Sequence, residues 1–233
     1  MQDLKSAGCP AGTRTGRSFF LALSCLAGML AAWSAAAAPS AADEQPDADG
    51  FVSLFDGRTL EGWEGDKQLW KVEEGAIVGD SPGIKHNEFL ATTRRYGDFE
   101  LRLEFRLRRG EGNTGVQFRS ERVPDSSEVS GYQADIGEKY WGCLYDESRR
   151  NKILAQAPAE LQKALKPDDW NSYVIRAVGD RITLTLNGIK TVEYRETDEN
   201  IPRTGIIALQ VHSGPPLRVE FRKLRLREVK SAS

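Results

Sequence analysis

The sequence predicts an all-β domain, folded as an antiparallel two-sheet sandwich. Three observations carry this. Apolar and polar residues alternate with period two through most of the chain after Phe51, the mark of half-buried strands. The runs are short and are separated by Gly, Asn, Asp and Pro at turn positions. No alternation of strands with helices appears, as a parallel α/β sheet would require.

The elements follow in order. Residues 1–18 carry Lys5, Arg14 and Arg17 against Asp3, an apolar run follows from Phe19 to Ala38, and small residues fill Ala35 to Ala42. A basic start, apolar middle and small-residue end read as a secretory signal peptide over 1–42. Cleavage fits after Ala37 or Ala42, because Pro39 disfavours the Ala38 bond. Residues 43–49 form an acidic, Pro-containing linker, the domain spans 50–229, and 230–233 are a tail.

Within the domain, Leu101, Leu103, Phe105 and Leu107 alternate with charged residues, giving a strand that ends at Gly110 to Gly112. Val116 to Arg119 and Tyr132 to Ile136 give two more. Tyr173 to Ala177 turns at Gly179-Asp180 into Ile182 to Leu186. Asn187-Gly188, a strong short hairpin signal, leads into Ile189 to Tyr194. Gly205 to His212 and Leu217 to Arg227 complete the set. In the last strand the apolar spacing slips by one between Phe221 and Leu224, which predicts a bulge near Arg222-Lys223. Pro158 to Lys166, bounded by Pro167, is the one helical stretch. Lys139 to Lys152 shows no clean period and reads as a long loop. Trp63, Trp70 and Trp170 read as core or hydrogen-bonded packing residues.

Composition narrows the function. The chain has 233 residues, 39% hydrophobic and 28% charged, with 32 Lys+Arg against 34 Asp+Glu. That supports one compact core and excludes a polytopic membrane protein; once the signal is removed, no membrane segment is expected. The balanced charge argues against nucleic acid as a partner. Three Cys exclude a disulfide scaffold, and Cys143, alone after signal removal, reads as a small core residue. Two His, His86 and His212, exclude a multi-histidine metal site. No motif calls for a cofactor or a dedicated metal site; a divalent cation held by scattered carboxylates stays open. The Glu-x-Asp-x-x-Glu strand of sandwich glucanases is absent.

The polar faces of three strands are unusual. Gln117 and Arg119, Gln133 and Asp135, and Gln210 and His212 are each spaced i, i+2, about 7 Å apart on one face. These side chains are multi-point hydrogen-bonders suited to gripping hydroxyls. His212, neutral yet protonatable near neutral pH, is a candidate general base, and Ser213-Gly214-Pro215-Pro216 beside it forms a rigid loop. In the 139–152 run, Trp141 and Tyr145 offer rings for stacking on sugars. Asp146 and Glu147 offer an acid, a base or a metal ligand, and Arg149 offers a planar donor.

Several motifs in order are similar to one family. They are Ser53-Leu54-Phe55-Asp56-Gly57 through Trp63, Tyr96-Gly97-Asp98-Phe99-Glu100, Gly112-Asn113-Thr114-Gly115-Val116-Gln117-Phe118-Arg119, Gly131-Tyr132-Gln133-Ala134-Asp135-Ile136, Trp170-Asn171-Ser172-Tyr173 and Leu186-Asn187-Gly188. Over about Gly50 to Val229 the chain resembles the 3-keto-disaccharide hydrolase domain. The resemblance implies a concanavalin A-like jelly-roll sandwich in an exported bacterial protein, with a carbohydrate partner. It implies cleavage of glycosides oxidised to a ketone at sugar carbon 3. Such a ketone acidifies the C2–H, so a base, a donor for the enolate oxygen and an acid for the leaving oxygen suffice. Face geometry then assigns Asp135 or His212 as base, Arg119 as the enolate-side cation, and Tyr145, Asp146 or Glu147 as acid. Gln117, Gln133 and Gln210, with Trp141 and Arg149, would hold the sugar. The alternative is a non-catalytic carbohydrate-binding module on the same fold.

Overall fold

The computed structural model describes residues 46–230; the expected signal peptide lies outside them. Strands are numbered in chain order. One sheet has the order β13 (Ile189–Arg195), β12 (Arg181–Leu186), β11 (Asn171–Val178), β6 (Phe99–Leu107), β15 (Leu217–Glu228), β4 (Ala76–Ser81) and β3 (Trp70–Glu73), with β1 (Val52–Ser53) pairing β15. The other has the order β10 (Lys152–Ala155), β9 (Leu144–Glu147), β8 (Val129–Gly137), β7 (Asn113–Arg122), β14 (Ile206–Val211), β5 (Glu88–Thr92) and β2 (Trp63–Glu64). All pairings are antiparallel. The predicted all-β sandwich is the fold.

The period-two pattern explains the core. Leu101, Leu103, Phe105 and Leu107 of β6 are buried, and across from them lie Val116, Phe118, Tyr132, Ala134, Ile136, Leu144, Leu209 and Val211 of the other sheet. Phe99 and Phe118 meet edge to face between the layers, with centroids 6.2 Å apart. In β15 the register shifts between Arg222 and Arg225, with Lys223 at φ +53°. The extra residue returns Leu224 and Leu226 to the core side, as the spacing predicts. Asn187 and Gly188 both take positive φ, 48° and 82°, the geometry a two-residue hairpin favours.

Three local readings change. The 139–152 run is not one loop, because it contains β9 and enters β10. The helical stretch is a 3₁₀ turn over Ala159–Lys163 that buries Leu161. Trp170 is not a core residue. It lies half-buried on the outer face of the eight-stranded sheet, with the Arg222 and Arg106 guanidiniums 3.8 and 4.7 Å from its ring centroid. Trp63 does pack as expected, its Nε1 donating to Leu54 O at 2.7 Å.

Candidate active site

The seven-stranded sheet carries the site on the face turned away from the core. In β8, Tyr132, Ala134 and Ile136 belong to the core, so Gln133 and Asp135 must point outward. By the same alternation Asn113, Gly115 and Gln117 of β7, Tyr145 and Glu147 of β9, and Gln210 of β14 share that face, with His212 just past the end of β14. Register sets them in rows. Tyr145 faces Gln133 and Gln133 faces Gln117; Asp135 faces Gly115; Gly137 faces Asn113. Gly115 makes this arrangement fit, since a Cβ there would lie 2.6 Å from Cγ and Cδ of Gln133.

Asn113, Gln133, Asp135, Tyr140, Tyr145, Glu147 and His212 line one cleft of about 100 Å³. A chain of hydrogen bonds holds its floor. Ser120 Oγ donates to Gln117 Oε1 at 2.8 Å, Gln117 Nε2 to Gln133 Oε1 at 2.8 Å, and Gln133 Nε2 to Asp135 Oδ1 at 3.3 Å. Asn113 Oδ1 and both amide atoms of Gln210 are buried without a protein partner. His212 Nδ1 lies 2.6 Å from Ser213 O. A carbonyl only accepts, so Nδ1 carries the hydrogen and the lone pair of the neutral ring resides on Nε2.

The electrostatics follow from burial. Loss of solvent, then the charge of Glu147, pushes the Asp135 carboxyl well above the usual range. Burial thus favours its neutral form, which can donate a hydrogen bond. Burial, then Glu128 and Asp146, raises Glu147 to about 7. Tyr145 is also raised, first by burial and then by Glu147, and Tyr140 packs edge-on against it at 6.1 Å. The cleft thus brings together a carboxyl whose neutral form burial favours, a second carboxyl that titrates near neutrality and an imidazole whose Nδ1 is engaged by Ser213 O.

Four expected site residues lie elsewhere. Arg119 cannot serve an enolate in this cleft. It sits in a β7 bulge at φ +47°, where the register slips between Phe118 and Glu121. The bulge takes it out of phase with Gln117, and it clamps Gly97 O at 2.9 Å, Gly179 O at 2.8 Å and Asp98 Oδ1 at 2.7 Å. Asp146 is not the acid either. It shares the inward parity of Leu144 and is fully buried between Arg149 and Arg150. Arg149 is held by that pair and by the Tyr132 ring, 4.6 Å from its guanidinium carbon, so it does not reach the cleft. Trp141 packs on Phe105, centroids 6.1 Å apart, as a cap on the core. Gln117 and Gln210 stay on the expected face but are fully buried beneath the cleft.

Asn113 and Tyr140 escaped the sequence reading, although the parity shared with Gly115 and Gln117 points to Asn113. The run Gly79-Asp80-Ser81-Pro82-Gly83 spells Gly-x-Ser-x-Gly. It ends an antiparallel strand with no helix behind it, and Ser81 Oγ accepts from Gly83 N at 3.1 Å, so it is not a nucleophile elbow. A larger cleft of about 430 Å³ lies by Arg108, Arg218 and Asp168, but its arginines are largely engaged in ion pairs. Among the described residues no cluster of three or more His, Cys, Asp or Glu is placed to hold a metal.

Residues 50–227 match the 3-keto-α-glucoside-1,2-lyase-like domain. The chain belongs to this family. It is also similar to a 3-keto-disaccharide hydrolase of Bacteroides thetaiotaomicron, with 31% identity over 173 residues, covering 64% of this chain and 59% of that protein. The chain therefore spans less than two thirds of that relative's length. Among solved structures it resembles a provisionally assigned glycosyl hydrolase from Parabacteroides distasonis, with TM-score 0.62, 20% identity, and 78% and 95% of the two chains covered. It also resembles the carbohydrate-binding module CBM66 from Bacillus subtilis, with TM-score 0.57, 16% identity, and 72% and 96% covered. These two likenesses show a shared sandwich fold. In this member of the 3-keto-α-glucoside-1,2-lyase-like family the titratable groups of the cleft come from β8, β9, the loop between them and the end of β14.

Proposed function

We propose that the domain cleaves 3-keto-glycosides by elimination across C1–C2, followed by hydration. The observation that carries this is the convergence of Asp135, Glu147 and His212 on one cleft, with the two carboxyls lifted out of their ordinary range. A binding module has no use for carboxyls in that state, whereas proton transfer near neutral pH does. The family description, a 1,2-lyase-like domain, fits the same chemistry.

The roles follow from position. Protonated Asp135, on the floor, donates to the C3 oxygen as it becomes an enolate, the part first assigned to Arg119. His212 Nε2 takes the C2 proton. The electron pair moves into C2=C3 as the enolate forms; the ketone then reforms, C1=C2 forms and the C1–O bond breaks. Glu147 delivers a proton to the departing oxygen. His212, just past the end of β14, and Glu147 on β9 are separated by three strand spacings and by six residues of register, so they stand at opposite ends of the cleft, with the row of Asp135 between them. Water then adds hydroxyl to C1 and hydrogen to C2, completing a net hydrolysis. Gln133 and Asn113 hold hydroxyls.

The reading includes export directed by residues 1–42, which N-terminal sequencing of the mature protein would test. It would begin at Ala38 or Asp43. The activity test is release of free sugar from 3-keto-trehalose and 3-keto-sucrose, with the unoxidised disaccharides and added EDTA as controls. Turnover confined to the keto-sugars supports the reading, and EDTA sensitivity would bring in a divalent cation. Binding of these sugars by the folded protein without turnover would overturn it in favour of a carbohydrate-binding module.

A further inference from the structure

His212 is held from behind. Its Nδ1 meets Ser213 O at 2.6 Å, and both peptide planes around Ser213 are tied to the segment that precedes β5. The Ser213 N–H donates to Asn87 Oδ1 at 2.9 Å, and the Gly214 N–H donates to Ile84 O at 2.8 Å. Asn87 is buried at 8% exposure and is itself anchored. Its carbonyl accepts from Ser127 Oγ at 2.7 Å, and its Nδ2 reaches Glu128 Oε2 at 3.4 Å.

The ring nitrogen that carries the proton is set by the hydrogen bond the ring makes. If the Ser213 carbonyl were free to turn, the imidazole would sample both tautomers and more than one orientation. The Gly214 N–H to Ile84 O bond holds the plane that carries this carbonyl, and Asn87 holds the plane that joins it to His212, so the two together remove that freedom. It lies behind the histidine and outside the cleft lining.

We infer that Asn87 is a positioning residue: by fixing the Ser213 peptide it holds His212 in the Nδ1–H tautomer with Nε2 presented to the cleft. The inference rests on His212 acting as the base of the proposed reaction, but its structural half stands apart from turnover. Nothing in its neighbourhood suggests a substrate contact for Asn87 itself.

The test is imidazole ¹⁵N NMR at about pH 9, where a histidine ring is neutral. The chain has only two histidines, and exposed His86 serves as the internal control. In the wild type His212 is expected as the Nδ1–H tautomer. In Asn87→Ala its signals should move toward a tautomer mixture while those of His86 stay put, and kcat should fall roughly 10- to 100-fold with KM within about twofold. Asn87→Asp, which keeps the acceptor for the Ser213 N–H, should restore the Nδ1–H signature. An Nε2–H tautomer in the wild type, a reading independent of whether any variant folds, overturns the inference. So do unchanged His212 signals in Asn87→Ala. Absence of turnover in the wild type would count against the enzymatic reading alone, leaving the tautomer result to decide the positioning role.

Discussion

Replacing Glu147 by glutamine should make the protein more stable at alkaline pH and leave it unchanged in acid. The carboxyl is raised from the ordinary 4.5 to about 7, first by burial and then by Glu128 and Asp146. At about 1.4 kcal/mol for each tenfold change in proton affinity, holding Glu147 ionised in the folded state costs about 3 kcal/mol. Its partial solvent access lowers this to about 2 kcal/mol. The sign follows from linkage. Below the unfolded value both states are protonated and nothing is lost. As pH rises, the unfolded chain releases its proton first, so wild-type stability falls until the folded carboxyl also ionises near 7. The Glu147→Gln side chain has no proton to lose, so the variant's stability stays flat. Urea unfolding at pH 4, 6 and 8 should therefore show no difference, then a growing one, then a plateau of about 2 kcal/mol favouring the variant. At a urea slope of about 2 kcal/mol/M that is a midpoint shift of about 1 M. A difference that does not vary with pH would refute the environment assigned to Glu147. The same variant should lose turnover, since it removes the acid.

Three further outcomes are expected. Asp135→Asn should outlast the wild type in urea at pH 8 but not at pH 4, since the buried carboxyl is likewise raised. It should also keep measurable kcat, because the amide still donates, while Asp135→Ala loses it. Arg119→Ala removes the guanidinium from Asp98 and two carbonyls and should cost about 3–5 kcal/mol in chemical denaturation. The folded fraction should keep its KM, and Arg119→Lys should recover little because one ammonium cannot reproduce the fork. Gly115→Ala places a Cβ 2.6 Å from Gln133 Cγ and Cδ, displacing that side chain from the cleft, and should raise KM, measured by steady-state kinetics.

Much of the fold was legible because side-chain alternation is a direct image of burial. The slip between Phe221 and Leu224 exposed the β15 bulge, since two apolar sets of opposite phase must be joined by an extra residue. The β7 bulge gave no such sign. The residues after Phe118 are Arg119, Ser120, Glu121 and Arg122, all polar, so a phase change there leaves no apolar trace. Spacing alone therefore sets Arg119 beside Gln117, on the wrong side of the sheet. Asp146 was legible in principle: two residues after Leu144, it shares the inward parity once that run is read as a strand. The dense mixture of charges and aromatics hid the strand, because Arg149 and Arg150 neutralise an acid that occupies a core position. Gln133, Asp135 and His212 could be found from spacing alone. The raised carboxyls and the support of His212 by Asn87 depend on contacts across the fold, which no local pattern encodes.

The most direct test of the account is to run the reaction on a 3-keto-glucoside in D₂O and read the C2 position of the released keto-sugar by NMR, against an enzyme-free control. Elimination and hydration predict deuterium at C2 in the product at the rate of turnover, with a primary isotope effect when the substrate carries deuterium there. Sugar release with the original C2 hydrogen retained would mean direct displacement at C1, and would contradict the roles given to His212 and Asp135.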